Sequence, residues 1–104
     1  MALGLTAAAD VTGTISGVVT DPSGAVVPGV EVKAVNVGTN AVHRSTTGSD
    51  GVYALRGLPV GVYDLSAELS GFKKFETQGI TLQVNETARV DVRLSIGETA
   101  EKVT

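Results

Sequence analysis

Apolar and polar residues alternate with a period of two along most of this sequence. Between residues 13 and 20, Ile15 and Val19 alternate with mainly polar neighbours, and Tyr63 and Leu65 begin a second alternating run. A period of two is that of a β-strand with one buried face. Because no segment of ten residues has the helical period, the pattern predicts an all-β chain.

Turn residues divide this pattern into seven or eight short strands. Such strands, each with one polar face, favour two packed sheets over a small barrel, and we expect a seven-stranded antiparallel β-sandwich. We expect 48–51 and 85–86 to close hairpins, Leu58 to lie beneath a loop at 56–61, and Val84 to face the core. The predicted strands are 13–20, 30–35, 41–47, 52–55, 62–69, 72–77, 80–84 and 88–94.

The residues Asp21-Pro22-Ser23-Gly24 fit a type I turn at each position. Asp21 can accept hydrogen bonds from the backbone N–H groups that follow it, Pro22 fixes φ at the second position, and Gly24 tolerates the exit geometry. Pro28-Gly29 marks a second bend. These residues predict a compact connection between the first two strands.

Length and composition limit the possible classes of protein. The 104 residues suit one domain, and with two Tyr, two Phe and no Trp the core must consist mainly of Val, Leu, Ile and Ala. The net charge is −3 and the basic residues are scattered except for Lys73-Lys74, which argues against nucleic-acid binding. The absence of cysteine excludes disulfides, thiolate metal sites and cysteine nucleophiles.

The two ends of the sequence differ from its central part. Residues 1–12 are either an apolar arm or the remnant of a secretory signal, since the alanines at 7–9 are of the kind that precede a cleavage site. Residues 13–95 form the predicted sandwich, and 96–104 a polar linker. No segment approaches the ~20 apolar residues that span a bilayer, so we expect no membrane span.

The reactive side chains do not predict an enzyme. His43 is the single histidine, has no Ser or Cys in a nucleophile motif to pair with, and cannot bind zinc by itself. Asp64 and Glu68 on one strand would lie about 13 Å apart, too far for a retaining carboxylate pair. We therefore expect no catalytic residues and no cofactor.

Two weaker candidates concern ligand binding. Oxygen-bearing side chains in turns suit calcium, for which Asp21 and Asp50, with Asn40 and Ser49, are weak candidates. An Asp in a turn more often binds its own backbone, however. The run Phe72-Lys73-Lys74-Phe75 could contact a sugar or an anionic polymer, or it could anchor and protect an edge strand.

Several of these motifs, in their order, resemble the carboxypeptidase regulatory-like domain. They are 13–21 with Gly24, Pro28-Gly29-Val30, 47–51 with Tyr53, 58–63, and Gly71-Phe72-Lys73, and the resemblance covers about 13–94. It implies a transthyretin-like or prealbumin-like sandwich with an immunoglobulin-like Greek key, a fold also grouped as carbohydrate-binding-like, and no catalytic residues. It implies structural roles, at turns or in the core, for Gly17, Asp21, Pro22, Gly24, Pro28, Gly29, Asp50, Gly51, Tyr53, Pro59, Gly61, Tyr63, Gly71 and Phe72.

The resemblance also implies an accessory role. Such domains occur beside the catalytic domain of metallocarboxypeptidases, in bacterial surface proteins, and as N-terminal extensions of TonB-dependent outer-membrane receptors, the setting that the signal-like start and the tail 95–104 resemble most. We expect an exported, non-catalytic interaction module of the bacterial outer membrane, periplasm or cell surface, with another protein or a neighbouring domain as partner. Two alternatives stay open: a carbohydrate-binding module, and a self-assembling subunit whose arm, 2–9, adds as a strand to a second copy.

Overall fold

The computed structural model describes residues 11–97, which form eight β-strands. No helix occurs among these residues, so the prediction of an all-β fold is confirmed. The strands are β1 (Thr12–Thr20), β2 (Glu31–Asn36), β3 (Val42–Thr46), β4 (Val52–Pro59), β5 (Gly61–Glu68), β6 (Phe75–Leu82), β7 (Thr87–Arg89) and β8 (Val92–Arg93).

The strands form two sheets, which pack face to face. In sheet I the order is β4-β1-β7, and β8 also pairs with β1. In sheet II the order is β3-β2-β5-β6. The predicted sandwich is therefore confirmed, and the chain crosses between the sheets after β1, β3, β4 and β6.

The core lies between the sheets and follows the predicted alternation. Ile15 and Val19 of β1 and Val32 of β2 are fully buried, while the alternate residues of both strands are partly or fully exposed. Tyr53 of β4 and Tyr63 of β5 are the largest buried side chains, at 1% and 0% exposure. The rest of the described core is aliphatic, as the composition requires.

The last two strands differ from the rest in direction. Thr14 lies beside Thr87 and Val19 beside Val92 in parallel pairing with β1, whereas the other pairs of strands are antiparallel as predicted. The chain therefore enters the sandwich at Thr12 and leaves β8 at the opposite end. We call these two ends the entry end and the exit end.

β7 and β8 are two parts of one interrupted strand. Between them Val90 N still donates to Ser16 O at 2.8 Å, but Val18 N donates to the side-chain Oδ1 of Asp91 at 3.0 Å. A carboxylate thus takes the place of a backbone carbonyl in the ladder. Counting β7 and β8 as one strand gives the seven strands that we predicted.

Both predicted hairpins are wrong. Residues 48–51 do form a tight turn, in which Gly51 N donates to Gly48 O at 2.8 Å, but β3 pairs with β2 whereas β4 pairs with β1. Residues 85–86 likewise connect β6 of sheet II with β7 of sheet I. Turn residues set the local direction of the backbone, whereas the burial of each strand's apolar face decides which sheet that strand joins.

Two other segments depart from the prediction. Most of the expected loop at 56–61 belongs to β4 and β5, because a bulge at Gly57, with φ of 69°, keeps the chain paired and Leu58 buried. The strands predicted at 72–77 and 80–84 are a single edge strand, β6, which has its own bulge. Val84 lies beyond the end of that strand and is 52% exposed, so its expected place in the core is wrong.

The first and last contacts of the sandwich lie near the two ends of the described residues. Thr12 begins β1, and at the exit end Ile96 forms a bridge with Phe72. Residues 1–10 and 98–104, which contain the predicted arm and most of the predicted linker, lie outside the described residues. Within the described part of the chain, no helix has the length and apolarity needed to cross a bilayer.

Candidate functional site

An open groove lies at the entry end of the sandwich, between the β2–β3 turn and the β4–β5 connection. Its volume is about 490 Å³. Val37 and Val62, two of its apolar residues, are 52% and 40% exposed. Exposed apolar surface in a concave setting is typical of contact sites. We call this the entry groove; its lining residues are 36–39, Ala41, His43 and 59–63.

One wall of the entry groove is the turn that joins β2 to β3. The Oδ1 atom of the buried Asn36 accepts hydrogen bonds from Gly38 N at 2.8 Å and from Thr39 N at 3.0 Å. Asn36 N also donates to Ala41 O at 2.9 Å. These bonds fix the turn, and Val37 at its start is left in contact with solvent.

The opposite wall is the connection between β4 and β5, which Tyr63 holds in place. The ring of Tyr63 is buried in the core, and its hydroxyl donates to Pro59 O at 2.6 Å. Val37 N donates to Val62 O at 2.9 Å, which links the two walls directly. Because hydrogen bonds join both walls, the entry groove is formed without a ligand.

His43 contributes its imidazole ring to the lining of the entry groove. Its ring meets the ring of Tyr63 edge-on, with centroids 6.2 Å apart. His43 pairs with the buried Ala34, so its ring faces the space between the sheets. Its Nε2 is buried and has no hydrogen-bond partner among the described residues. Such an atom is costly until a ligand or water binds it.

The side chains of Asp21 and Asp50, the two weak calcium candidates, accept hydrogen bonds from the backbone of their own turns. The Oδ1 of Asp21 accepts from Ser23 N at 2.9 Å, from Ser23 Oγ at 2.7 Å and from Ala25 N at 3.0 Å. The bond from the Ser23 hydroxyl is the main reason that the pKa of Asp21 lies below its ordinary value. The Oδ1 of Asp50 accepts from Val52 N at 3.1 Å.

The candidate oxygen ligands for calcium do not form one site. Asn40 lies in the β2–β3 turn at the entry end, whereas Ser49 and Asp50 follow β3 at the exit end. Within 11–97 there is no group of three or more His, Cys, Asp or Glu side chains that could hold a metal ion.

The aromatic and basic run at 72–75 is partly occupied by structural contacts. Phe72 and Phe75 are partly buried and pack against the core. Lys74 Nζ lies 3.3 Å from Glu76 Oε2 and 3.6 Å from Glu68 Oε2, and the hydrogen bond with Glu76 is the main cause that raises the pKa of Lys74. This geometry favours an anchored edge strand over a free patch for an anionic ligand.

Two of the residues with expected structural roles, Gly17 and Tyr53, meet at the carbonyl group of Val90. A Cβ on Gly17 would lie 2.0 Å from Val90 O. The Tyr53 hydroxyl donates to that oxygen at 2.6 Å, and burial, with a further contribution from the charge of Asp91, raises the pKa of Tyr53. Gly51, in the turn before β4, has φ of 74°. The others lie in or beside connections between strands: Pro22, Gly24, Pro28, Gly29, Pro59, Gly61 and Gly71.

A smaller, polar depression of about 220 Å³ lies on the outer face of sheet II. Lys33, Asp64, Ser66 and Gln78 supply hydrogen-bonding groups to it. Asp64 Oδ1 also accepts from Gly79 N at 3.3 Å, at the bulge of β6. A surface of this kind can bind hydroxyl groups, but no aromatic side chain lines it in the described part of the chain.

A family of known domains matches this chain over most of its length. A model of the carboxypeptidase regulatory-like domain matches residues 14–95. The chain belongs to this family. In this carboxypeptidase regulatory-like domain, the matched residues include both walls of the entry groove and the Asp21 turn. Membership supports a binding or accessory module rather than an enzyme. Among curated proteins, none matches the sequence.

Solved structures share the fold of this carboxypeptidase regulatory-like domain. The Bacillus anthracis TIE protein matches with a TM-score of 0.70 and 20% identity over 83% of this chain and 17% of its own. A candidate carbohydrate binding protein from Bacteroides uniformis matches with a TM-score of 0.64 and 20% identity, over 79% of this chain and 40% of its own. Catechol 1,2-dioxygenase from Pseudomonas arvilla C-1 matches with a TM-score of 0.70 and 12% identity, over 88% of this chain and 54% of its own. At these identities the likeness shows the fold alone, and the chain spans about half or less of each of these proteins.

Sequence reasoning did not identify the entry groove. Its walls come from residues 36–43 and 59–63, which are far apart in sequence and lie in different connections. One signal was present, because Val37 and Val60 place branched apolar side chains in segments that read as turns. Turn segments are usually polar, so such valines indicate either a local core or a contact surface.

Proposed function

We propose that this domain is a non-catalytic accessory module of an exported bacterial envelope protein, specifically the N-terminal extension of a TonB-dependent outer-membrane receptor. Membership of the carboxypeptidase regulatory-like family supports the accessory role. The parallel pairing of β1 with β7 and β8 supports this place, because the chain leaves β8 at the exit end, opposite to the entry groove.

The entry groove is the observation that carries this proposal. Thr12, where the chain enters, pairs with Pro59 on its rim, so a protein that meets the entry end contacts the groove. Burying the exposed side chains of Val37 and Val62 favours association by about 25 cal/mol per Å² of apolar surface. A polar group of the partner would also give His43 Nε2 the hydrogen bond that it lacks among the described residues.

A pair of matched valines tests this role. Val62 lies in the groove and is 40% exposed, whereas Val52 lies on β4, outside the groove, and is 41% exposed. The immobilised chain is incubated with solubilised envelope fractions, any captured protein is identified and purified, and its affinity is measured for the wild type, Val62→Asp and Val52→Asp. We expect Val62→Asp to weaken binding at least tenfold, and Val52→Asp to leave it unchanged. Equal affinities, or no captured protein, would count against the proposal.

Carbohydrate binding is a second candidate, favoured by the polar depression on sheet II. Its hydrogen-bonding side chains, among them Lys33 and Asp64, suit hydroxyl groups, although sugar sites usually also contain an exposed aromatic ring. A glycan array with the wild type and Asp64→Ala tests this function. Binding that is lost in Asp64→Ala would support it, and an array without signal would eliminate it.

A further inference from the structure

The open edge of β3 differs from the other sheet edges in the described part of the chain. Strand edges attract other strands, and proteins protect them with bulges, prolines or interruptions. β4 contains a bulge at Gly57 and ends at Pro59, and β6 contains a bulge at Gly79. The last strand of sheet I is interrupted at Asp91. β3 has none of these features, and its register with β2 is unbroken from Val42 to Thr46.

The hydrogen bonds between β3 and β2 show which backbone groups of β3 are available to pair with a further strand. Asn36 N donates to Ala41 O at 2.9 Å, and Thr47 N donates to Val30 O at 3.0 Å. Hydrogen-bonded and non-hydrogen-bonded pairs alternate in an antiparallel ladder. The backbone N–H and C=O groups of residues 42, 44 and 46 therefore point away from β2, where no strand of the described residues pairs with them.

The outer face beside this edge has a definite chemical pattern. Val42 pairs with Val35, and Arg44 pairs with Lys33. Arg44 Nε lies 3.4 Å from Glu31 Oε2, so the three charged side chains carry a net charge of +1. A strand that adds here is therefore favoured when it places an aliphatic residue opposite Val42 and a carboxylate opposite Arg44.

We propose that β3 binds residues 99–103 of a second copy of this chain as an antiparallel strand. In that register Val103 lies opposite Val42, Glu101 opposite Arg44, and Thr99 opposite Thr46. Antiparallel addition requires the acidic residue two positions before the aliphatic one, which is the order of Glu101 and Val103. The arm at 2–9 contains no acidic residue and does not fit this pattern.

The same chain cannot supply this strand to its own β3. Gly97 N donates to Gly71 O at 3.0 Å, next to β6, and β6 and β3 are the two opposite edges of sheet II. Strands lie about 4.8 Å apart, so the position beyond β3 is roughly 19 Å from β6. The two residues from 97 to 99 span at most about 7 Å. The strand must therefore come from another copy.

Charge exchange in the full-length chain tests the proposal. Sedimentation velocity from about 10 µM to about 1 mM should show self-association of the wild type. Arg44→Glu should weaken it roughly fivefold to tenfold, because an attractive cross-strand pair becomes a repulsive one. The double variant Arg44→Glu with Glu101→Arg should restore it. Arg56→Glu, the same charge change on β4, is the matched control and should have no effect.

Hydrogen exchange gives a second measurement that does not depend on the charge variants. The amides of Val42, Arg44 and Thr46 should become slower to exchange as the protein concentration rises, while the amide of Arg56 should not change. A wild type that stays monomeric to about 1 mM overturns the proposal. So does equal behaviour of Arg44→Glu and Arg56→Glu, provided that circular dichroism shows both to be folded, or a failure of the double variant to restore association.

Discussion

The backbone N–H of Val18 donates to the side-chain Oδ1 of Asp91 at 3.0 Å, where β7 has ended and β8 has not yet begun. Arg89 Nε lies 3.1 Å from the same oxygen. The bond from Val18, followed by the hydrogen bond from Arg89, holds the pKa of Asp91 below its ordinary value of 3.8. An ionised side chain thus connects the last strand to β1 at the interruption.

Asp91→Asn should lower the free energy of unfolding by about 0.5–1 kcal/mol at pH 7, since Asn can still accept the bond from Val18 but without charge assistance. The pKa of Asp91 is lower in the folded than in the unfolded chain, so its stabilisation is complete above the unfolded-state pKa and is lost as the pH falls through the folded-state pKa. Urea unfolding at pH 7 and near pH 2 should show a difference that shrinks in acid. A difference that is the same at both pH values would contradict this account.

Tyr53→Phe should lower the free energy of unfolding by about 1–2 kcal/mol, because it leaves the Val90 oxygen without the hydroxyl that donates to it at 2.6 Å. The ring keeps its packing, so the change isolates the hydrogen bond. Chemical denaturation followed by circular dichroism measures the effect. Unchanged stability would mean that water replaces the hydroxyl at that oxygen.

Thr47→Val should lower the free energy of unfolding by about 2 kcal/mol or more. The buried Thr47 hydroxyl donates to Val27 O at 2.8 Å and accepts from Val30 N at 2.9 Å, and valine of nearly equal shape can do neither. The neighbouring Thr46 is exposed, so Thr46→Val is the control, and its effect should stay within about 0.5 kcal/mol. Thermal unfolding of both variants tests this difference in stability. Equal unfolding temperatures of Thr47→Val and Thr46→Val would refute the prediction.

Gly17→Ala should destabilise the domain by about 3 kcal/mol, since the added Cβ would lie 2.0 Å from Val90 O and the backbone of the last strand would have to move. Gly38→Ala is the control. Its Cβ would meet Asn36 Oδ1 at 3.4 Å, an acceptable contact, so we expect little change. If both variants unfold at the same urea concentration, the close approach of β1 to Val90 is not rigid.

β1 and β5 illustrate what can be predicted from the sequence of this domain. In both strands the buried side chains, such as Ile15 and Leu65, sit at every second position as the pattern indicates. The turn at Asp21 also uses its side chain as predicted, because the interacting groups are within four residues of one another. Strand periodicity and hydrogen bonds between residues close in sequence can be predicted from a single sequence.

Pairings between distant segments could not be predicted in this way. Asp50 and Gly51 indicated a tight turn, but no residue in that turn tells whether β4 joins sheet I or sheet II. Gly57 and Pro59 suggested a loop, whereas they belong to a bulged strand whose ladder with β1 is visible only in three dimensions. The entry groove depends in the same way on contacts such as Val37 N to Val62 O.

The parallel placement of the last strand on β1 has a mechanical consequence. If the segments before residue 11 and after residue 97 are pulled apart, the force runs along β1 in one direction and along β7 and β8 in the other. The hydrogen bonds between them, with the Val18–Asp91 contact, are then loaded together in shear instead of breaking one after another. A domain held in this way resists extension when force is applied to its two ends.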